Sequence, residues 1–430
     1  MNSHPTAGIW IDQTWSAPDQ SGYSKRSRLS GTFKAFIPER LSKRDLRLSQ
    51  DVAAQALRVQ QQLTRLATRP DTGVLEDLSR FLARSESIAS SHIEGMAPGA
   101  DKVAVAEFLR SKQPDKLPGS VAEQVAANME VLSTLVRKGT GNLTVEDLQQ
   151  CQASLVPQRN LHGIRTVQNW IGGNQHNPIG AAFVPPPPEE VPCLMADFID
   201  YVNGAHHSVL AQAAIAHAQF ETIHPFADGN GRIGRALIHT ILSGSGLCGT
   251  TIIPVSLVLA NNKDAYIAAL SSFRDVRNPT QGLDDWCSYF LDSMDCAIDQ
   301  VTVFNDAIEK IRLSWQDKLF THRTTSGKTR ALRSDSAEAR ILANLPEMPL
   351  VTVDLAVDRL EITATAARRA LTTLVEAGIL TKRSIAKRTN AYLTLELFDL
   401  MTMTERRLAS PALDTSVAPP AFPVPAINKR

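Results

Sequence analysis

One twelve-residue segment restricts this chain more than any other: His224-Pro-Phe-Ala-Asp-Gly-Asn-Gly-Arg-Ile-Gly-Arg235, set between two apolar stretches of helical spacing. Gly229, Asn230 and Gly231 tolerate left-handed or crowded backbone, and they stand just before a helix start. Consecutive N–H groups there face a concavity, and the positive end of the following helix adds to it, which makes an anion site. Arg232 and Arg235, three apart, project from one helical face and can each fork onto phosphate oxygens. Asp228 supplies the kind of oxygen ligand that Mg²⁺ shares with substrate phosphates. His224, held by Pro225, can take a proton from an incoming hydroxyl. Singly these features are commonplace: an Asn-Gly turn, a solvated pair of arginines, a structural histidine. Together they are the parts of a phosphoryl or nucleotidyl transfer site.

The rest of the chain reads as mostly helical, with helices expected over about 46–66, 74–93, 101–109 and 121–136, the last stopped by Gly139 and carrying Val121, Val125, Leu132 and Val136 on one stripe. Thr144 with Glu146 and Asp147 behind it looks like an N-cap. Residues 163–188 change character: β-type runs at 165–171 and 182–184 around a Gly-Gly-Asn…Asn-Pro turn read as a hairpin, followed by the stiff run Pro185–Pro188. Further helices are expected at about 190–203, 209–223, 233–243, 263–273 and 284–311. Residues 1–45 read as a loosely structured surface arm and 312–334 as a basic linker. Residues after 401 read as a disordered tail rich in proline.

Composition narrows the function classes. Lys+Arg of 45 against Asp+Glu of 44 leaves +1, so no global field draws the protein to nucleic acid or membrane. No apolar run reaches membrane-spanning length, and the N-terminus lacks a leader pattern. Five cysteines without a C-x-x-C pair argue against a disulfide framework or zinc ribbon, and a cytoplasmic protein is expected.

The key segment satisfies H-P-F-x-[D/E]-G-N-G-R-x-x-R at every specified position, and in it the chain resembles the Fic family. His217-Ala-Gln-Phe-Glu-Thr-Ile223 resembles the family's helix into the motif, and Trp170-Ile-Gly-Gly with Val184-Pro-Pro-Pro resembles its flap hairpin. The likeness covers roughly 45–300 and is strongest over 160–270. It implies a mainly α fold: a Fic helical core with a β-hairpin flap, an N-terminal helical inhibitory region and a C-terminal winged helix-turn-helix.

The activity implied is transfer of AMP from ATP, with Mg²⁺, to a Tyr, Thr or Ser hydroxyl of a protein. By the resemblance His224 is the base and Asp228 the Mg²⁺ ligand. The Gly229–Gly231 amides and Asn230 hold the α- and β-phosphates, and Arg232 and Arg235 the β- and γ-phosphates. Phe226 belongs to the ATP-binding set, while Asn262 and Tyr266 close the adenine end. Gly231 favours AMP transfer over phosphate transfer. The flap, around 165–188, would hold the target by strand-like pairing. Self-modification and a homodimer are further expectations.

Ser90-Ser-His-Ile-Glu94-Gly95 resembles the family's inhibitory motif, [S/T]-x-x-x-E-[G/N]. Ser90 and Glu94 share a helical face. A glutamate in a last helical turn is either a solvated residue before a glycine stop or one with a cation elsewhere. By resemblance that cation is Arg235, and low basal activity follows. Removal of AMP is a further implied activity.

Residues 335–400 read as helices, a Thr363-capped recognition helix and two short strands, resembling a winged helix-turn-helix. From Arg359 to Asn390 there are seven basic and two acidic residues, with Arg368 and Arg369 on the recognition helix and Lys387 and Arg388 on the wing. This unit contacts either DNA, through 359–390, or a protein, and a nucleotide-sensing DNA-binding regulator is the alternative to an enzyme. The expected divisions are thus 1–45, 46–120 with the inhibitory motif, 121–311 as catalytic core, 312–334, 335–400 and 401–430.

Overall fold

Residues 8–15 and 31–38 are not part of a loose arm. Strand β1 (Gly8–Trp15) pairs antiparallel with β2 (Gly31–Pro38), from Gly8 opposite Pro38 to Trp15 opposite Gly31. The cause is in Gly31-Thr-Phe-Lys-Ala-Phe-Ile, whose polar Thr32 and Lys34 face solvent between more buried Phe33, Ala35 and Phe36. In this computed structural model, residues 6–17, 24, 26–68, 72–113, 116–204, 207–249, 251–327, 330, 332–386 and 389–408 are described, side chains excepted at 72–77 and 406–407.

The helices follow in order: α1 (Gln50–Ala67), α2 (Thr72–Ile93), α3 (Ala100–Ser111), α4 (Val121–Lys138), α5 (Val145–Leu155), α6 (Val191–Asn203), α7 (Val209–Ile223) and α8 (Asn230–Gly244). Then come α9 (Val255–Asn261), α10 (Lys263–Ser272) and α11 (Pro279–Thr325). Local chemistry sets several boundaries. Ser120 with Glu123 and Thr144 with Asp147 form reciprocal capping boxes, and Gly139 leaves α4 at φ 65°. Val121 sits in the first turn of α4 and is 45% exposed, so it does not belong to the buried stripe expected of it.

Helices α7 and α8 form the centre. Small and apolar residues predominate on every face of α7 over Leu210–Phe220, with Gln212, His217 and Gln219 buried among them, and such a helix must be enclosed. All of Asn230–Leu242 in α8 is buried as well. The pair packs together, with α4, α2 and α5 against α8 and α6 and α11 against α7.

The segment expected as a two-stranded hairpin at 165–184 is a looser flap. Only isolated bridges, Ile171–Phe183 and Asn174–Asn177, close it. Gly172, Gly173 and Gly180 at positive φ, with Pro178, interrupt a continuous ladder. The N-terminal ribbon braces this flap: Phe36 N–H donates to Val184 O at 2.9 Å, Phe36 packs on Phe183, and the Trp15 and Trp170 rings meet edge-on at 5.4 Å.

The linker expected at 312–334 is in large part helix. α11 continues to Thr325 because Ile308, Trp315 and Leu319 extend its buried stripe. Trp315 Nε1 and Lys318 both donate to Glu396. Beyond lie α12 (Ala337–Asn344), β3 (Leu350–Val351), α13 (Val353–Leu360), α14 (Ala364–Glu376), β4 (Thr381–Ala386), β5 (Thr389–Leu393) and α15 (Leu395–Leu408), with sheet order β3-β5-β4. Residues 401–408, expected in the tail, belong to α15, whose Leu397 and Met401 are buried in the main core. The C-terminal unit is therefore packed against the helical body, with Arg383 paired to Asp101 at 2.6 Å, rather than a module on a tether. Lys387, Arg388 and residues 409–430 lie outside the described residues. No described helix is long and apolar enough to cross a membrane.

Candidate active site

The site is built where α7 ends and α8 begins. His224 caps α7 in the left-handed conformation, φ 50° and ψ 60°, its N–H donating to Phe220 O at 2.9 Å. Such a conformation is costly for a residue with a side chain and persists only when neighbours enforce it. Here Arg165 enforces it: its Nε donates to His224 O at 2.9 Å and its Nη2 to Pro186 O at 2.5 Å, while its backbone N–H donates to Pro225 O. Burial pushes the His224 imidazole down to about 4, so it is neutral at physiological pH.

Gly229 turns the chain into α8 at φ 89°, and the Asn230 side chain closes the loop on itself. Phe226 N–H donates to Asn230 Oδ1 at 2.9 Å, and Asn230 Nδ2 donates to Phe226 O at 2.8 Å. Two expectations change on this geometry. The Asn230 amide side chain is spent on the loop, leaving its backbone N–H for an anion. Phe226 is fully buried against Phe220, so its ring is part of the core and not of a nucleotide pocket.

The cations differ sharply. The Arg232 side chain is 2% exposed, yet its Nε and Nη1 have no partner among the described residues, and Asp228 Oδ1 lies 3.6 Å from its Nη2. Arg235, equally buried, is engaged at Nε and Nη2. Its Nε donates to Ser90 Oγ at 2.9 Å, and its Nη2 donates to Ser90 O at 2.7 Å and Glu94 Oε1 at 2.8 Å. Burial works against both charges of that pair, but each outweighs it: Arg235 holds the Glu94 carboxyl below its ordinary value, and Glu94 raises Arg235. The carboxylate also lies directly over Gly231, where a Cβ would come within 1.9 Å of Glu94 Oε1. Glycine at 231 is thus a condition of Glu94 reaching Arg235.

Asp228 is half-exposed at the mouth, with Oδ1 accepting Gly229 N–H at 2.6 Å. No group of three or more His, Cys, Asp or Glu residues suited to a metal occurs among the described residues. A lone carboxylate fits only an ion that takes its remaining ligands from substrate phosphates and water. Asn262 is exposed at the joint of α9 and α10, next to Lys263, whose Nζ donates to Ile93 O at 2.5 Å. Tyr266 is buried, its hydroxyl 2.7 Å from His217 Nε2.

Three contributors went unrecognised in the sequence. Arg165 was hidden in an expected strand. Gln152 Nε2 donates to Leu161 O and Asp228 O at 2.9 and 3.1 Å, bridging α5 to the loop, and no local pattern signals it. Glu221 is one helical turn before His224, with Oε2 3.9 Å from its Nδ1, and burial raises its carboxyl to about 7.

Residues 142–242 match the Fic/DOC family. Among relatives, a probable protein adenylyltransferase of Aquifex aeolicus is 31% identical over 199 residues, covering 46% of this chain and 57% of that protein. Protein adenylyltransferase fic-1 of Caenorhabditis briggsae is 33% identical over 114 residues, 26% of this chain and 20% of that protein. The chain thus spans about half of the first relative and about a fifth of the second. A Fic family protein from Desulfovibrio desulfuricans aligns over 81% of this chain and 97% of its own, at TM-score 0.46 and 18% identity.

Proposed function

We propose that this chain is a protein adenylyltransferase that moves AMP from ATP to a Tyr, Thr or Ser hydroxyl of a target protein, releasing pyrophosphate, and that Glu94 restrains it. The observation that carries this reading is the buried Arg232 guanidinium with two unpaired donors at the start of α8. A buried cation with open donors calls for an anion. The first-turn N–H groups of α8 supply the rest of a phosphate cradle. Relatives named protein adenylyltransferase support ATP as the co-substrate.

In this reading the target hydroxyl attacks the α-phosphorus while neutral His224 takes its proton. The new oxygen–phosphorus bond forms as the bond to the bridging oxygen breaks, and pyrophosphate leaves with that electron pair. Asp228 would hold Mg²⁺, which supplies charge neutralisation to the phosphates. Arg165 and Gln152 keep His224 and the loop in register. The flap, braced by the β1–β2 ribbon, would present the target, and its exposed Val167 and Ile171 are available to one. We read the C-terminal unit as a winged helix-turn-helix for a partner, with Arg368 and Arg369 exposed on α14.

Two outcomes test the site. Arg232→Gln, in a Glu94→Gly chain, is expected to weaken ATP binding at least about tenfold, which is ~1.4 kcal/mol. Titration calorimetry giving equal affinity for both proteins would remove the cradle. The second concerns pH. His224 sits near 4, and the Glu94 charge is among the influences raising it. The Glu94→Gly enzyme should therefore keep a neutral base, and a level rate, from about pH 8 down to about pH 5. An acid limb centred near the ordinary value of 6.5 would contradict a buried base.

A further inference from the structure

Outside the catalytic loop, a partly open cavity combines buried charge with an unpaired donor. It lies on the seam between α2, α3 and the C-terminal unit, has a volume of about 90 Å³, and is lined by Arg80 and Arg84 of α2, Glu107 and Phe108 of α3, Glu347, and Arg359 of α13. At about 10–15 Å³ for each water-sized occupant, that volume has room for a small ion.

The charges are unbalanced in favour of an anion: three arginines against Glu107 and Glu347 leave one positive charge. Glu107 is already used on both oxygens. Arg80 donates to Oε1, and Arg84 donates to Oε2 from Nε at 3.2 Å and Nη2 at 2.8 Å. Arg84 is 3% exposed, and its Nη1 has no partner among the described residues. Arg359 enters from the C-terminal unit and is in no ion pair among the described residues.

We propose that this seam binds a phosphate-sized tetrahedral oxyanion, held by Arg84 and Arg359 and flanked by Arg80. A buried guanidinium donor is costly to leave unpaired, and guanidinium groups fork onto the oxygens of such anions. The second arginine comes from a different part of the chain, so an occupant joins α2 to α13. Since α2 also carries Ser90 and leads directly into the turn that holds Glu94, that occupant fixes the helix preceding the restraint to the C-terminal unit. The site is separate from the Arg232 cradle and does not rest on the catalytic reading.

The experiment is calorimetric titration of the full chain with inorganic phosphate, against sodium chloride of matched ionic strength. It is run in an Arg232→Gln background so that the cradle cannot contribute. One phosphate per chain is expected, and adding Arg359→Gln should weaken it at least tenfold. Arg359 is exposed, so this variant keeps its fold; Arg84→Gln should do the same where it folds. Arg368→Gln, on the exposed face of α14, should leave the affinity unchanged. No phosphate binding in the Arg232→Gln chain means that the cavity holds only water, and the proposal falls. It also falls if Arg359→Gln binds as before, or if Arg368→Gln weakens binding equally.

Discussion

His224→Ala, placed in a Glu94→Gly chain, is expected to lower AMP transfer by about 10²–10⁴-fold, the usual contribution of a positioned base. The expectation rests on position as much as on residue type. His224 is in left-handed backbone at the end of α7, fastened through its carbonyl by Arg165, and its imidazole is neutral because it is buried. Alanine removes the proton acceptor and leaves those backbone bonds in place. The variant should therefore bind ATP with unchanged affinity and unfold at the same temperature. A rate loss accompanied by loss of ATP binding would instead mean that His224 holds the loop together. An undiminished rate would remove it from the chemistry.

Glu94→Gly is expected to raise AMP transfer at least about tenfold over the unaltered chain, which corresponds to ~1.4 kcal/mol. Two contacts are lost at once. Arg235 Nη2 is released from Glu94 Oε1 while keeping Ser90 O at 2.7 Å, so the guanidinium stays aimed at the loop with a donor freed. The space over Gly231, which the carboxylate occupies, opens next to the first-turn N–H groups of α8. A γ-phosphate could then take the donor that the carboxylate held. Steady-state rates of the two proteins at saturating ATP decide the matter, and equal rates would dismiss the restraint.

What could be read in the sequence follows the distance over which the determinants act. The turn at Gly229-Asn-Gly231, the capping boxes at Ser120 and Thr144, and the enclosure of α7 all depend on neighbours within a few residues. The pair of Glu94 and Arg235 joins residues 141 positions apart, and only the likeness to a family linked them. Features decided by packing alone were missed. The β1–β2 ribbon is stabilised where Trp10 and Phe36 meet Phe183 on the flap, so residues 8–38 seen alone looked like an arm. The final turns of α11 depend on Trp315 finding Glu396, a contact absent from any local window. Phe226 shows the reverse error: a position inside the motif was assigned to ATP, although its ring fills the core.

The central claim is that this chain transfers AMP and that Glu94 limits the rate. It is tested most directly by incubating the unaltered chain, Glu94→Gly and Glu94→Gly/His224→Ala with a cell lysate and ATP labelled at the α-phosphate, with γ-labelled ATP in parallel. The account predicts strong α-label on protein with Glu94→Gly, a weaker signal from the unaltered chain, none with the double variant, and no γ-label in any of the three. Label from the γ-phosphate, or α-label that persists without His224, would contradict it.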